Sequence, residues 1–140
     1  MSLQAVLAPL FVQVGLTFLL LFLTGRARFA AIRAGEVRVG DIALGQRAWP
    51  EGPAKAANSF DNQFQLPVLF YVLTILAIIA RKADLLFVAL AWVFVALRIV
   101  HAFIHVGGNV VIRRFQAYVA GMAVLLIMWI LFAIRVLLAW

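Results

Sequence analysis

Three side chains able to do chemistry share one apolar stretch. Arg98, His101 and His105 lie within residues 89–105, which otherwise carry only aliphatic and aromatic groups. Positions i, i+3 and i+7 fall on one face of a helix. An ionisable group inside a bilayer is costly, so by default it faces a bundle interior or a wet cavity and marks a functional site. Two further sets have the same character. Asn58, Asn62 and Gln65 recur at i, i+4 and i+7 where another apolar run begins, and Arg114 and Tyr118 stand at i, i+4 in a third.

The residue types narrow the chemistry. A histidine pair at i, i+4 can ligate zinc, and one histidine can hold haem iron. The nearest carboxylate, Asp61, sits at the rim, and Arg98 one turn from His101 repels a cation, so no metal is expected. An anion fits better. The arginine fork matches a carboxylate, and amides and imidazoles supply the remaining hydrogen bonds. Plainer roles exist for most of the set. Arg114 can snorkel to lipid phosphates, and the histidines and amides can bond between helices. Arg98 resists that reading, because it lies too deep in its run to snorkel without strain.

The elements that must position these groups are membrane spans. Of the 140 residues 67% are hydrophobic, against about 45–50% in soluble domains. The chain is read as an all-α integral membrane protein of one domain, 1–140, with spans at about 5–24, 59–80, 85–106 and 114–138. Runs of this length suit a hydrocarbon core of about 30 Å. Gln13 is the one strongly polar group inside span one; it either faces another helix or stands as a tolerated lone amide. Pro67 is expected to kink span two. Trp129 and Trp140 are read as interface anchors toward the far end of span four. Residues 26–57 form a long polar connection, punctuated by glycines and the run Trp49 to Pro53, with room for short amphipathic turns.

Charge orients the spans. The net charge of +7 would suggest nucleic acid in a soluble protein, but here the basic residues flank apolar runs, so no nucleic-acid partner is expected. The long connection together with Arg113 and Arg114 carries eight Lys/Arg; the other side carries Arg81, Lys82 and Arg135. The positive-inside rule then places the long loop in the cytoplasm and both termini outside it. The start of span two, the end of span three and the start of span four meet at the cytoplasmic end, so all three polar stripes converge there. There is no cysteine, so any thiol reaction needs a thiol supplied by the substrate.

Taken together, four spans, a basic first loop, Asn62-Gln-Phe-Gln65-Leu-Pro67, and Arg98-x-x-His101-x-x-x-His105 followed by Arg114-x-x-x-Tyr118 resemble the MAPEG family. These are the membrane-associated proteins in eicosanoid and glutathione metabolism, among them microsomal glutathione transferases. The resemblance, to the bacterial type, implies a four-helix bundle assembled as a homotrimer in a bacterial inner membrane, in contact with membrane lipids. It implies glutathione as co-substrate and a lipophilic small molecule as partner. By position, it implies Arg114 and Tyr118 as the catalytic pair at the thiol, and Asn62, Gln65, Arg98, His101 and His105 as binding residues, with Arg26 or Arg28 at the end of span one. Three positions depart from the family pattern: Gln65 replaces a glutamate, Asn58 an arginine, and His105 a tyrosine. The implied activity is a glutathione-dependent transferase or peroxidase acting on lipophilic electrophiles. The substitutions favour an alternative, a non-catalytic binding or scaffold protein of the same fold; an accessory subunit of a larger membrane complex is a third reading.

Overall fold

The computed structural model describes residues 1–45 and 48–139, which leaves Arg47 and Trp140 outside the described residues. Six helices follow in order: α1 Leu3–Arg33, α2 Val39–Ile42, α3 Glu51–Asn62, α4 Leu66–Ile79, α5 Leu85–Val106 and α6 Val111–Leu137. No strand occurs among the described residues. Four helical units, Leu3–Arg33, Glu51–Ile79, Leu85–Val106 and Val111–Leu137, are long and apolar enough to cross a membrane. Their outward faces carry bare apolar groups such as Phe18, Ile75, Ile79 and Leu126. A soluble protein would bury these; here they are the lipid surface of an integral membrane protein.

The polar connection is shorter than its composition suggests. Helix α1 begins at a Ser2 cap, whose hydroxyl accepts from the Ala5 N–H at 3.2 Å, and it continues nine residues beyond Thr24. Its 31 residues span about 46 Å at 1.5 Å per residue, more than the hydrocarbon core requires. Arg26, Arg28 and Arg33 therefore lie on helix rather than in loop. Between Gly25 and Gly35, which takes φ 72° just past the C-cap, no Gly or Pro stops the helix, and the intrahelical bonds satisfy the backbone whether or not lipid surrounds it.

Span two is two helices. Pro67 is the second residue of α4, and its ring excludes the carbonyl of Gln63 from a normal i−4 bond. The chain closes the gap with tighter turns instead: Gln63, Phe64 and Gln65 donate to the carbonyls of Phe60, Asp61 and Asn62 at 2.9, 3.1 and 3.2 Å. The break therefore precedes the proline, and the stripe expected from Asn58 through Gln65 is not one continuous helical face.

The core lies between α4, α5 and α6. Phe70, Leu73 and Ala77 of α4 pack on Phe87, Ala91, Phe94 and Val95 of α5, with Leu125 and Met128 of α6 closing the cluster. The rings of Phe70 and Phe94 are 4.9 Å apart. Since lipid tails are as apolar as these side chains, close packing rather than water exclusion holds the helices together. Ala77 and Ala91, both fully buried, let the backbones approach. Trp129, half-buried, packs against this core. It packs beside Phe132, its ring nitrogen is buried without a partner, and it lies eight residues before the end of α6.

One carboxylate fastens the turn between α4 and α5. Asp84 caps α5 by accepting from the Phe87 N–H at 2.9 Å and pairs with Arg135 of α6 at 2.8 Å. Burial raises its pKa, but the Arg135 pair and the Phe87 N–H together outweigh this, and the carboxyl sits below its ordinary value of 3.8. A folded-state value held below the unfolded one stabilises the protein above the unfolded value, and that stabilisation fades as pH falls through the folded one. Asp84→Ala is expected to cost about 1 kcal/mol at pH 7, mostly from the lost cap, with the exposed ion pair adding little. Thermal unfolding in detergent should show this gap closing as the pH drops below 3.8. A gap independent of pH would mean that the carboxylate's charge plays no part.

Candidate functional site

Arg98 is the largest fully buried side chain among the described residues, about 1% exposed, near the middle of α5. Its partner comes from the end of α3. One Nη2 donates to the Asn62 side-chain oxygen and, at 3.5 Å, to the Asn62 carbonyl. That carbonyl also serves the tight turn into Gln65, so the span-two break presents two acceptors at the point where Arg98 reaches. The guanidinium carbon lies 6.0 Å from the centre of the Tyr118 ring on α6. The His101 ring is 5.7 Å from both the His105 and Tyr118 rings. Arg98, His101, Tyr118 and Asn62 thus form one cluster drawn from α3, α5 and α6, with His105 one turn along.

The cluster is under-satisfied. Arg98 Nε and Nη1, His101 Nδ1 and His105 Nδ1 are buried and lack hydrogen-bond partners. Among the described residues the ion pairs are Lys55–Glu51 and Arg135–Asp84, and neither reaches Arg98. A buried cation without a counter-charge is expensive. Among the described residues no carboxylate pairs with Arg98, and four buried nitrogens of the cluster lack partners.

Other expected members stand further out. Gln65 is exposed, and its Oε1 accepts from Asn62 Nδ2 at 3.0 Å, which leaves the Asn62 oxygen to Arg98. Arg114, half-buried, donates to Asn109 Oδ1 at 2.8 Å and lies within electrostatic range of His101 and His105. Asn109 occupies the left-handed region at φ 50°, which asparagine tolerates. It follows Gly107, where a Cβ would stand 2.9 Å from the Phe103 carbonyl and could not be accommodated. Lys55 of α3 bonds the Gly107 carbonyl at 3.2 Å, tying this turn to span two. Arg26 is exposed, and Arg28 stacks over Trp49 at 4.8 Å. No contact joins either to Arg98 among the described residues. Asn58 lines a separate cavity of about 440 Å³ with Arg28, Trp49 and Asp61. An apolar groove of about 430 Å³ runs between α4 and α6, bounded by Leu66, Met122 and Trp129 among others. Met122, on its lining, is one turn from Tyr118.

A buried amide chain missing from the sequence-based site supports the same corner. Gln13 of α1 donates to Gln63 Oε1 at 2.8 Å, and Gln63 donates to the Ser59 carbonyl at 2.9 Å. All three side chains are at most 1% exposed. Gln63 adjoins Asn62, so this chain fixes the break that carries the acceptor of Arg98. Ser59 and Gln63 lie one turn apart on a different face from Asn58, and that spacing was the available signal. Gln13→Leu is expected to lower the unfolding free energy by about 1 kcal/mol, within the range for interhelical bonds in membranes. Gln13→Leu combined with Gln63→Leu should cost less than the two single changes added together, since no amide is left unpaired. Strict additivity in a double-mutant cycle would break the link.

The comparisons with known proteins point one way. The family model described as the MAPEG family matches residues 6–134, nearly the whole chain. No curated protein and no solved structure matches. The chain therefore belongs to the MAPEG family, an assignment that includes glutathione transferases and related membrane proteins.

Proposed function

We propose that the protein is a glutathione-dependent transferase or peroxidase acting on lipophilic electrophiles that arrive from the membrane. The observation that carries this reading is the buried Arg98 with two unpartnered nitrogens beside Asn62, His101 and His105. These are the positions at which the family resemblance expects glutathione to be held. In this reading a glutathione carboxylate pairs with Arg98, and the imidazoles bond the peptide. The thiol lies toward Arg114. A cation near a thiol lowers its pKa by about 1–3 units, so the thiolate gains population. Binding glutathione this way requires Arg114 to release Asn109, or to use the nitrogens that Asn109 does not engage. Tyr118 donates a hydrogen bond to the sulfur.

The chemistry is then nucleophilic displacement or peroxide reduction. In transfer, the thiolate forms a carbon–sulfur bond and the leaving group departs with its electron pair, while the thiol proton passes to solvent. In peroxidase turnover, two glutathiones reduce one hydroperoxide to alcohol and water and end as a disulfide. The apolar groove between α4 and α6 gives a lipophilic substrate a route to Tyr118. As in the family, the working unit is a homotrimer with the site between subunits, set in a bacterial inner membrane with the long loop toward the cytoplasm. The second reading, a non-catalytic binding protein, is favoured by Gln65, which offers no carboxylate to the glutathione amine and is already engaged by Asn62.

A thiolate ultraviolet difference spectrum on the purified protein with glutathione separates the two. The enzyme reading expects a thiolate band that Arg114→Ala reduces about tenfold, the change that one pKa unit gives. No band in the wild type, with saturable glutathione binding intact, would leave the binding reading in place. A band unchanged in Arg114→Ala would remove Arg114 from the reaction.

A further inference from the structure

The turn between α5 and α6 carries a side chain whose bond serves neither helix. Residues 107–110 join the two helices. Lys55 of α3 donates to the Gly107 carbonyl at 3.2 Å, the Gly107 N–H donates to the Phe103 carbonyl at 3.0 Å, and the Asn109 N–H donates to the Ile104 carbonyl at 2.8 Å. These bonds fix Asn109 at φ 50°, in the left-handed region that glycine enters freely and asparagine or aspartate more readily than other residues.

An asparagine at the start of a helix commonly caps it, its side-chain oxygen accepting a free N–H of the first turn. Asn109 does not. Helix α6 begins after Val110 with no side-chain cap, and Asn109 Oδ1 accepts from Arg114 Nη1 at 2.8 Å instead. Arg114 itself stands close to the start of α6, where a cation opposes the helix dipole. Neither placement helps the helix to form. The other ionisable groups around this corner are Arg98, His101 and His105 of α5, Tyr118 of α6 and, across the turn, Lys55 of α3. None is a carboxylate, and the sequence has no Asp or Glu after Asp84.

A neutral partner matters for a cation. The amide takes one hydrogen bond from the guanidinium and fixes its direction, yet leaves its charge uncancelled. A carboxylate would bond more strongly and neutralise it. With no partner, the long side chain would be free to turn toward lipid phosphates.

We infer that Asn109 is a positioning residue, which holds Arg114 beside His101 and His105 with its charge intact and leaves its remaining nitrogens to the thiolate of glutathione. This rests on the glutathione reading and adds the residue that sets the reach and charge of the cation. Asn109 touches no substrate and keeps its bond to Arg114 when glutathione binds.

The test is a pH titration of the thiolate band, on full-length protein in detergent at saturating glutathione, with melting temperatures measured alongside. Asn109→Asp keeps the backbone conformation and the bond but cancels the charge. The thiol pKa should rise by about one unit or more, since an opposite charge lowers a pKa by about 1–3 units. Asn109→Gly keeps the conformation and frees Arg114, so the thiol pKa should rise by a smaller amount. In an Arg114→Ala background Asn109→Gly should change nothing, because it acts through Arg114. A purely structural tether gives the reverse order. Asn109→Asp would then match the wild type, and Asn109→Gly would lower the melting temperature without moving the titration. That pattern would overturn the inference, as would an effect of Asn109→Gly that persists without Arg114. A wild type with no thiolate band would overturn the glutathione reading and this inference together. A band whose titration neither substitution moves would overturn this inference alone.

Discussion

The bond between Arg98 and Asn62 organises the membrane half of this protein that carries the polar groups. It joins the middle of α5 to the last residue of α3, and it exists because span two is interrupted. A continuous helix would spend the Asn62 carbonyl on an i+4 amide within its own axis. Pro67 forbids that geometry a turn later, the chain tightens through Gln63–Gln65, and Asn62 is left facing Arg98 with both of its oxygens in reach. The arrangement is held from behind by Gln13 and Gln63, two buried amides joined by a hydrogen bond whose loss would be costly to each.

The same bond leaves a deficit. Asn62 is neutral, so it takes a hydrogen bond from Arg98 without cancelling its charge. Two guanidinium nitrogens and two imidazole nitrogens remain without partners in a segment where water is scarce. A membrane protein can tolerate such a cluster if something anionic completes it. Tyr118 offers only the weak attraction of its ring at 6.0 Å. Under the proposed function that anion is a carboxylate of glutathione, opposite in sign to Arg98.

Much of this was legible in the sequence, for identifiable reasons. Apolar runs of about 20 residues are unambiguous because bilayer thickness sets their length. Leu85–Val106 could be read nearly to the residue, since Asp84 caps one end and Gly107 ends the other. Arg98 announced itself because no lipid-facing position would carry it. Helix ends governed by weaker signals were harder. The continuation of α1 to Arg33 is invisible to hydropathy, since a helix leaving the bilayer turns polar just as a loop does. Gln63 fell outside the polar stripe because a stripe drawn on an unbroken helix puts it on a different face. The placement of Arg26 and Arg28 away from Arg98 depends on tertiary packing that no spacing reveals.

The central claim is that Arg98 holds an anion, and equilibrium binding of glutathione tests it most directly. Isothermal titration of the detergent-purified protein should give saturable binding. Arg98→Leu removes the charge and the Asn62 bond together, and the melting temperature reports whether the fold survives. Binding should then weaken at least about tenfold, the equivalent of 1.4 kcal/mol, while Arg26→Leu leaves it unchanged. Undiminished binding in a folded Arg98→Leu protein would contradict the account.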